Sequence, residues 1–150
     1  MNKRNTNIVA CFLILEKDNQ VLLLKRANTG YRDGEYGLVA GHLEPGETFT
    51  QAMVREAREE AGLEFTEDEL EVVHVMHRKS TIDQSERVDV FFVPKHFKQK
   101  PINCEPEKCS ELKWFDSNKL PKNIIPPIKQ ALESYVKKES YSEWGWRLSK

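Results

Sequence analysis

At 150 residues the chain has room for one ordinary domain with a real core. Charged residues make up 31% and nearly cancel, leaving a formal net charge of -1. That balance argues against a general binder of polymeric nucleic acid or of a membrane surface, which would carry a basic excess. No apolar run approaches the roughly 20 residues of a membrane span, and Met1 to Thr6 leads into no signal-peptide pattern, so a cytoplasmic protein is expected. Cys11, Cys104 and Cys109 are an odd number without a paired framework. Cys104 and Cys109 with His96 lack the fourth ligand of a structural zinc site, so free thiols in a reducing compartment are the better reading.

Asn7 to Leu15 is apolar and β-branched, which suits a strand buried on both faces. Lys17-Asp18-Asn19 marks a turn, and Val21 to Lys25 returns as the second strand of a hairpin. Arg26 to Gly34 is a loop rich in turn residues. Its Arg26 and Arg32 are candidate substrate-binding residues that could reach a polyphosphate, solvated loop arginines being the plainer alternative. Tyr36 to Ala40 is a short strand, and Pro45-Gly46 turns the chain toward a helix.

That helix has clear ends. Thr48 is a plausible N-cap and Gln51 completes a capping-box pattern, while Gly62 suits the C-terminus. Phe49, Ala52, Met53 and Ala57 form its apolar stripe. At about 100° per residue, Glu56 and Glu60 lie almost one above the other, with Glu59 beside Glu56 at the i, i+3 spacing. Gln51, Arg55 and Arg58 take the outward face. Three carboxylates at the margin of a buried stripe repel one another and lose hydration, and a hard divalent cation would reverse that penalty. A solvated acidic helix, ion-paired through Arg55 and Arg58, is the bland alternative.

Downstream, Glu64 to Glu71 reads as an acidic surface loop and Leu70 to Arg78 as a strand. Alternation puts His74 and His77 on opposite faces, as structural or exposed residues rather than ligands. Arg87 to Pro94 is a strong strand in which Arg87 and Asp89 alternate with Val88 and Val90. Either that charged face is solvated, or it lines a substrate cleft. Leu112 to Phe115 is a last strand, and Leu120 to Pro127 is a stiff connector. Ile128, Ala131, Leu132, Tyr135 and Val136 then recur at helical spacing, giving a helix that closes one side of the sheet. The tail, residues 140–150 of the single domain 1–150, carries Trp144 and Trp146. These should pack on their own domain, with a homodimer contact or a bound base as other uses.

Gly41, Glu47, Arg55, Glu56, Glu59, Glu60 and Gly62, with Ala57 and Leu63 at the apolar positions, match G-x5-E-x7-R-E-U-x-E-E-x-G-U throughout. This is the Nudix box, and the chain resembles a Nudix hydrolase. The resemblance implies an α/β fold, the Nudix α/β/α sandwich with a mixed β-sheet between helices. It also implies hydrolysis of a nucleoside diphosphate linked to another group, using Mg2+ or Mn2+. Carried over by position, it makes Glu56, Glu59 and Glu60 metal ligands and catalytic residues, with a backbone carbonyl near Ala40 and Gly41. Glu47 and Arg55 then support the helix and loop geometry.

The general base is a box glutamate or an acid outside the box, for which Asp89 is the candidate. Arg87, on the same strand face, joins Arg26 and Arg32 as a substrate-binding candidate. Markers of the ADP-ribose, NADH and coenzyme A branches are missing around the box. The expected substrate is therefore a nucleoside triphosphate, cleaved as in MutT-type members to monophosphate and pyrophosphate, with ADP-ribose or a dinucleoside polyphosphate as the alternative. A non-catalytic nucleotide-binding module and an isoprenoid diphosphate isomerase are the competing classes. The first usually loses box residues, and the second needs a further catalytic cysteine.

Overall fold

The computed structural model describes residues 2–147. Strands β1 (Ile8–Leu13), β5 (Val39–His42), β6 (Leu70–Lys79), β7 (Glu86–Pro94) and β9 (Tyr141–Trp144) form a mixed sheet in the order β5-β1-β7-β6-β9. In it β1 runs parallel to β7 and β9 parallel to β6, while the β1–β5 and β6–β7 pairs are antiparallel. A second, antiparallel sheet contains β2 (Glu16–Lys17), β3 (Gln20–Arg26), β4 (Tyr36–Gly37) and β8 (Cys109–Asp116), with β3 pairing to the other three.

The apolar run at the start of the chain serves both sheets. Ile14 donates its N–H to Phe92 O at 2.8 Å, whereas the carbonyl of the next residue, Leu15, accepts from Leu22 N at 3.1 Å. The hairpin partner of β3 is therefore the short β2 and not β1, which corrects the expectation of one long first strand. Asp18 and Asn19, at φ 51 and 62, make that tight turn with the left-handed geometry such hairpins need. A second switch falls at Leu38, where the expected Tyr36–Ala40 strand divides into β4 in one sheet and β5 in the other.

Helix α1 (Phe49–Ala61) buries Ala52, Met53, Ala57 and Ala61 against Cys11, Leu13, Val90 and Phe92 of the mixed sheet. Its ends are as expected. Thr48 Oγ1 accepts from Gln51 N at 3.1 Å, Gln51 Oε1 accepts from Thr48 N at 3.0 Å, and Gly62 takes φ 65 at the C-terminus. A cap of this kind is worth about 1 kcal/mol. Helix α2 (Pro126–Val136) places Ile128, Ala131 and Leu132 in a second cluster with Met76 and Phe91. The mixed sheet thus lies between two helices, as expected of the α/β/α sandwich, with the second sheet packed beside it.

The aromatic tail packs on its own domain. Fully buried His74 is held by Glu139 O and Ser142 Oγ, each at 2.7 Å, which pins β9 along β6. Trp144 joins the α2 cluster, and Trp146 lies on the His77 ring at 4.6 Å and donates to His77 O at 2.9 Å. Residues 148–150 of the expected tail lie outside the described residues. Among the described residues, no helix is long and apolar enough to cross a membrane.

Candidate active site

The helix edge singled out by its glutamates meets the end of β5. Glu60 Oε1 accepts the Ala40 N–H at 3.0 Å, and Glu56 lies beside it, largely buried. A Cβ added at Gly41 would land on the Glu56 carboxylate, so glycine is what lets strand and helix edge come this close. Burial raises both carboxyls above the usual range, and each is pushed further by a neighbouring carboxylate; the Ala40 N–H opposes the shift at Glu60 and Arg55 opposes it at Glu56.

Arg55 is the hub of this corner and not an outward-facing residue. Its Nε and Nη2 bind the two Glu47 oxygens at 2.8 and 2.9 Å, Nη1 reaches Glu56 at 2.7 Å and Glu59 at 3.3 Å, and Nη2 also donates to His42 O at 3.1 Å. The forked carboxylate contact draws the guanidinium back from water, leaving it 16% exposed. The Arg55 fork in turn holds Glu47 well below the usual carboxylate range, at about 2. Glu47 also receives the Glu44 N–H, so one ion pair ties the loop before α1 to its second turn.

These groups border a cleft of about 870 Å³ between the two sheets. Glu56, Glu59, Glu60, Arg55 and Gly41 line it at one side, and Arg26, Arg87 and Asp89 line it elsewhere. The charged face of β7 is therefore a cleft wall. Arg26 is oriented by Tyr31 O at 2.8 Å and Thr29 Oγ1 at 3.1 Å, and Arg87 by Ser85 Oγ at 2.9 Å. Arg32 is not brought into the cleft: its guanidinium pairs with Glu35 at 3.0 Å. Asp89, 1% exposed, has its carboxylate bound by Arg78, with Nε at 2.6 Å from Oδ2 and Nη2 at 3.4 Å from Oδ1.

Sequence reasoning missed Arg78, Tyr31, His42, Glu105 and Lys108, all of which line the cleft. Arg78 stands at the end of a strand, where an arginine is usually solvated; only the register of β6 on β7 reveals its diagonal contact with Asp89. Glu105 comes from the connector before β8, and its negative charge is felt at Glu60.

The donor set suits a hard cation. Two crowded carboxylates meet at a strand end beside the Gly41 carbonyl, on which the Cys11 thiol makes a long, weak contact at 3.5 Å. Among the described residues, no three His, Cys, Asp or Glu side chains are already gathered as a cage. Glu59 is half exposed and leans on Arg55, so it would complete the set by a side-chain rotation.

Residues 4–135 match the NUDIX domain family model. The chain is 50% identical over 50 residues to an ADP-ribose pyrophosphatase from Methanocaldococcus jannaschii, a match over 33% of this chain and 29% of that protein. It is 39% identical over 61 residues to a CTP pyrophosphohydrolase from Escherichia coli, over 41% of this chain and 45% of the relative. The matched stretch thus spans less than half the length of either curated relative. The crystal structure of a MutT NUDIX hydrolase from Burkholderia pseudomallei superposes with a TM-score of 0.76 at 25% identity, covering 86% of this chain and 98% of that one. With the family model spanning most of its length and its intact box folded onto the end of β5, the chain belongs to the Nudix hydrolase family.

Proposed function

We propose that the protein is a Mg2+- or Mn2+-dependent pyrophosphohydrolase that cleaves a nucleoside triphosphate to the monophosphate and pyrophosphate. The observation that carries this reading is the pairing of Glu56 and Glu60 at one side of a cleft whose other walls hold Arg26 and Arg87. A polyphosphate needs both, a seat for its counter-cation and donors for its remaining oxygens. A volume of about 870 Å³ is ample for one nucleotide. The likeness to a CTP pyrophosphohydrolase supports a triphosphate, and the likeness to an ADP-ribose pyrophosphatase keeps ADP-ribose as the second reading.

Glu56, Glu60 and, after rotation, Glu59 would hold the cation with the Gly41 carbonyl. When bound, it supplies charge neutralisation and a lowered pKa for the attacking water. Arg55 fixes the orientation of Glu56 while keeping Glu47 on the loop before the helix. Arg87 and Arg26, each braced by hydrogen bonds, bind phosphate oxygens from the other walls of the cleft. Acceptance of the water proton falls to a carboxylate of α1 rather than to Asp89, which is ion-paired with Arg78 and lies two strands across the sheet from β5.

The test is a product-resolved hydrolysis screen with Mg2+ or Mn2+ across ordinary and oxidised nucleoside triphosphates, ADP-ribose and dinucleoside polyphosphates. Monophosphate plus pyrophosphate from a triphosphate supports the proposal. Cleavage of ADP-ribose or a dinucleotide alone replaces the substrate, and silence across the panel with metal bound overturns the hydrolase.

A further inference from the structure

A buried ion pair on the wall of an open cleft has a chemical use that a surface pair lacks. Asp89 and Arg78 are 2% and 7% exposed in their side chains, yet both line the cavity between the sheets. Asp89 lies beside Ala10 of β1, and Ala10 lies beside His42 of β5. At the ordinary strand spacing, Asp89 is therefore about 10 Å across the sheet from the β5 end where Glu56 and Glu60 meet. That separation is on the scale of a nucleoside extending from its α-phosphate. Ala10 is small and leaves room over the sheet between them, and the Phe12 and Phe91 rings, stacked at 4.8 Å, give the cavity an apolar aromatic side.

The pair is not an anion site, because the aspartate cancels the guanidinium charge. It is instead a fixed donor and acceptor side by side. Arg78 uses Nε and Nη2 on Asp89, and neither bond uses Nη1. On the other side of the pair, Asp89 Oδ1 receives only the long 3.4 Å contact and retains capacity to accept. Tyr31, whose phenol lies beside Arg78, comes from the loop over the same cavity.

Resting on the nucleotide reading above, we propose that Arg78 and Asp89 form the base-recognition site, hydrogen-bonding the polar edge of a nucleobase seated between the sheets. An edge with an acceptor beside a donor matches the pair; a sugar phosphate without a base does not. Arg78 and Asp89 are thus specificity-determining residues, and Asp89 acts as a positioning residue for Arg78 as well as an acceptor in its own right.

Titration calorimetry in Mg2+ tests this without turnover, using the adenine, cytosine, guanine and uracil nucleoside monophosphates against ribose 5-phosphate. The wild-type protein is expected to bind at least one mononucleotide tenfold or more tighter than ribose 5-phosphate, and Arg78→Lys, which keeps charge but loses the fork, to reduce that preference by about 10- to 100-fold. Removing one partner alone would strand a buried charge, so the second variant is Arg78→Met with Asp89→Leu, which replaces the pair by apolar groups and keeps the fold. It should bring the best mononucleotide close to ribose 5-phosphate. Equal wild-type affinity for ribose 5-phosphate and all four mononucleotides, or an unchanged preference in either folded variant, overturns the assignment. Base preference without any hydrolysis would fail the enzyme reading and sustain this one; hydrolysis without base preference would do the reverse.

Discussion

Replacing Gly41 by alanine separates a structural use of this glycine from a functional one. Its backbone is outside the left-handed region, so an L-residue fits the local conformation. The obstacle is the neighbour: the new Cβ would lie 2.5 Å from Glu56 Cγ and closer still to the carboxylate, where ordinary contact begins near 3.4 Å. Glu56 must therefore retreat by about 1 Å, a misplacement on the scale that costs about a hundredfold in rate. The retreat is at the free end of a flexible side chain, so folding should suffer little, within about 1 kcal/mol of the usual Gly→Ala effect. Steady-state kinetics with Mg2+, beside urea unfolding, reads both quantities. In a double-mutant cycle, Gly41→Ala should cost little more once Glu56 is already alanine, since the two act through one carboxylate. Folded Gly41→Ala protein with turnover within about threefold of wild type would refute the reasoning, because the carboxylate would then not need its place.

Other consequences follow from the same corner. Arg55→Lys keeps the charge but loses the fork that spans Glu47, Glu56 and Glu59, and activity or metal affinity should fall about 10- to 100-fold, read by kinetics and Mn2+ titration. Glu47 titrates near 2 when folded against an ordinary 4.5, so its stabilising effect is complete above about pH 4.5 and is lost as pH falls toward 2. Acid unfolding should therefore show the wild-type advantage over Glu47→Gln shrinking across that interval, and an advantage that grows there would contradict the ion pair. Gly62→Ala forces an L-residue into φ 65 and sets its Cβ 2.8 Å from Ile102 Cγ1, so thermal unfolding should reveal a loss of about 1–2 kcal/mol.

What the sequence made legible was local. Thr48, Gln51 and Gly62 announce the ends of α1 because capping chemistry acts within one turn, and the i, i+3 and i, i+4 spacings put Glu56, Glu59 and Glu60 on one edge. The strand periods located β6 and β7 to within a residue or two, and identified the face of Arg87 and Asp89 as unusual. What stayed hidden depends on contacts between elements. Ile14 and Leu15 look like a continuing strand, and their division between sheets is set by Phe92 and Leu22 far along the chain. Helical period alone puts Arg55 on the outer face, because it knows nothing of Glu47 on the preceding loop. Arg78 finds Asp89 only because a bulge between Val72 and His74 sets the β6 register on β7. In the sequence Arg32 is equivalent to Arg26, but its guanidinium pairs with neighbouring Glu35 and does not line the cleft.

The central claim is that the Glu56–Glu60 corner is the metal seat of a hydrolase, and the most direct measurement is metal-dependent pyrophosphate release by wild type and by Glu60→Gln. The substitution removes the negative charge that the site needs but keeps an oxygen able to accept the Ala40 N–H. The account predicts that the variant stays folded and loses at least about a hundredfold in turnover, the scale of one strong electrostatic catalytic contact. Near-normal pyrophosphate release from folded, metal-loaded Glu60→Gln would contradict it.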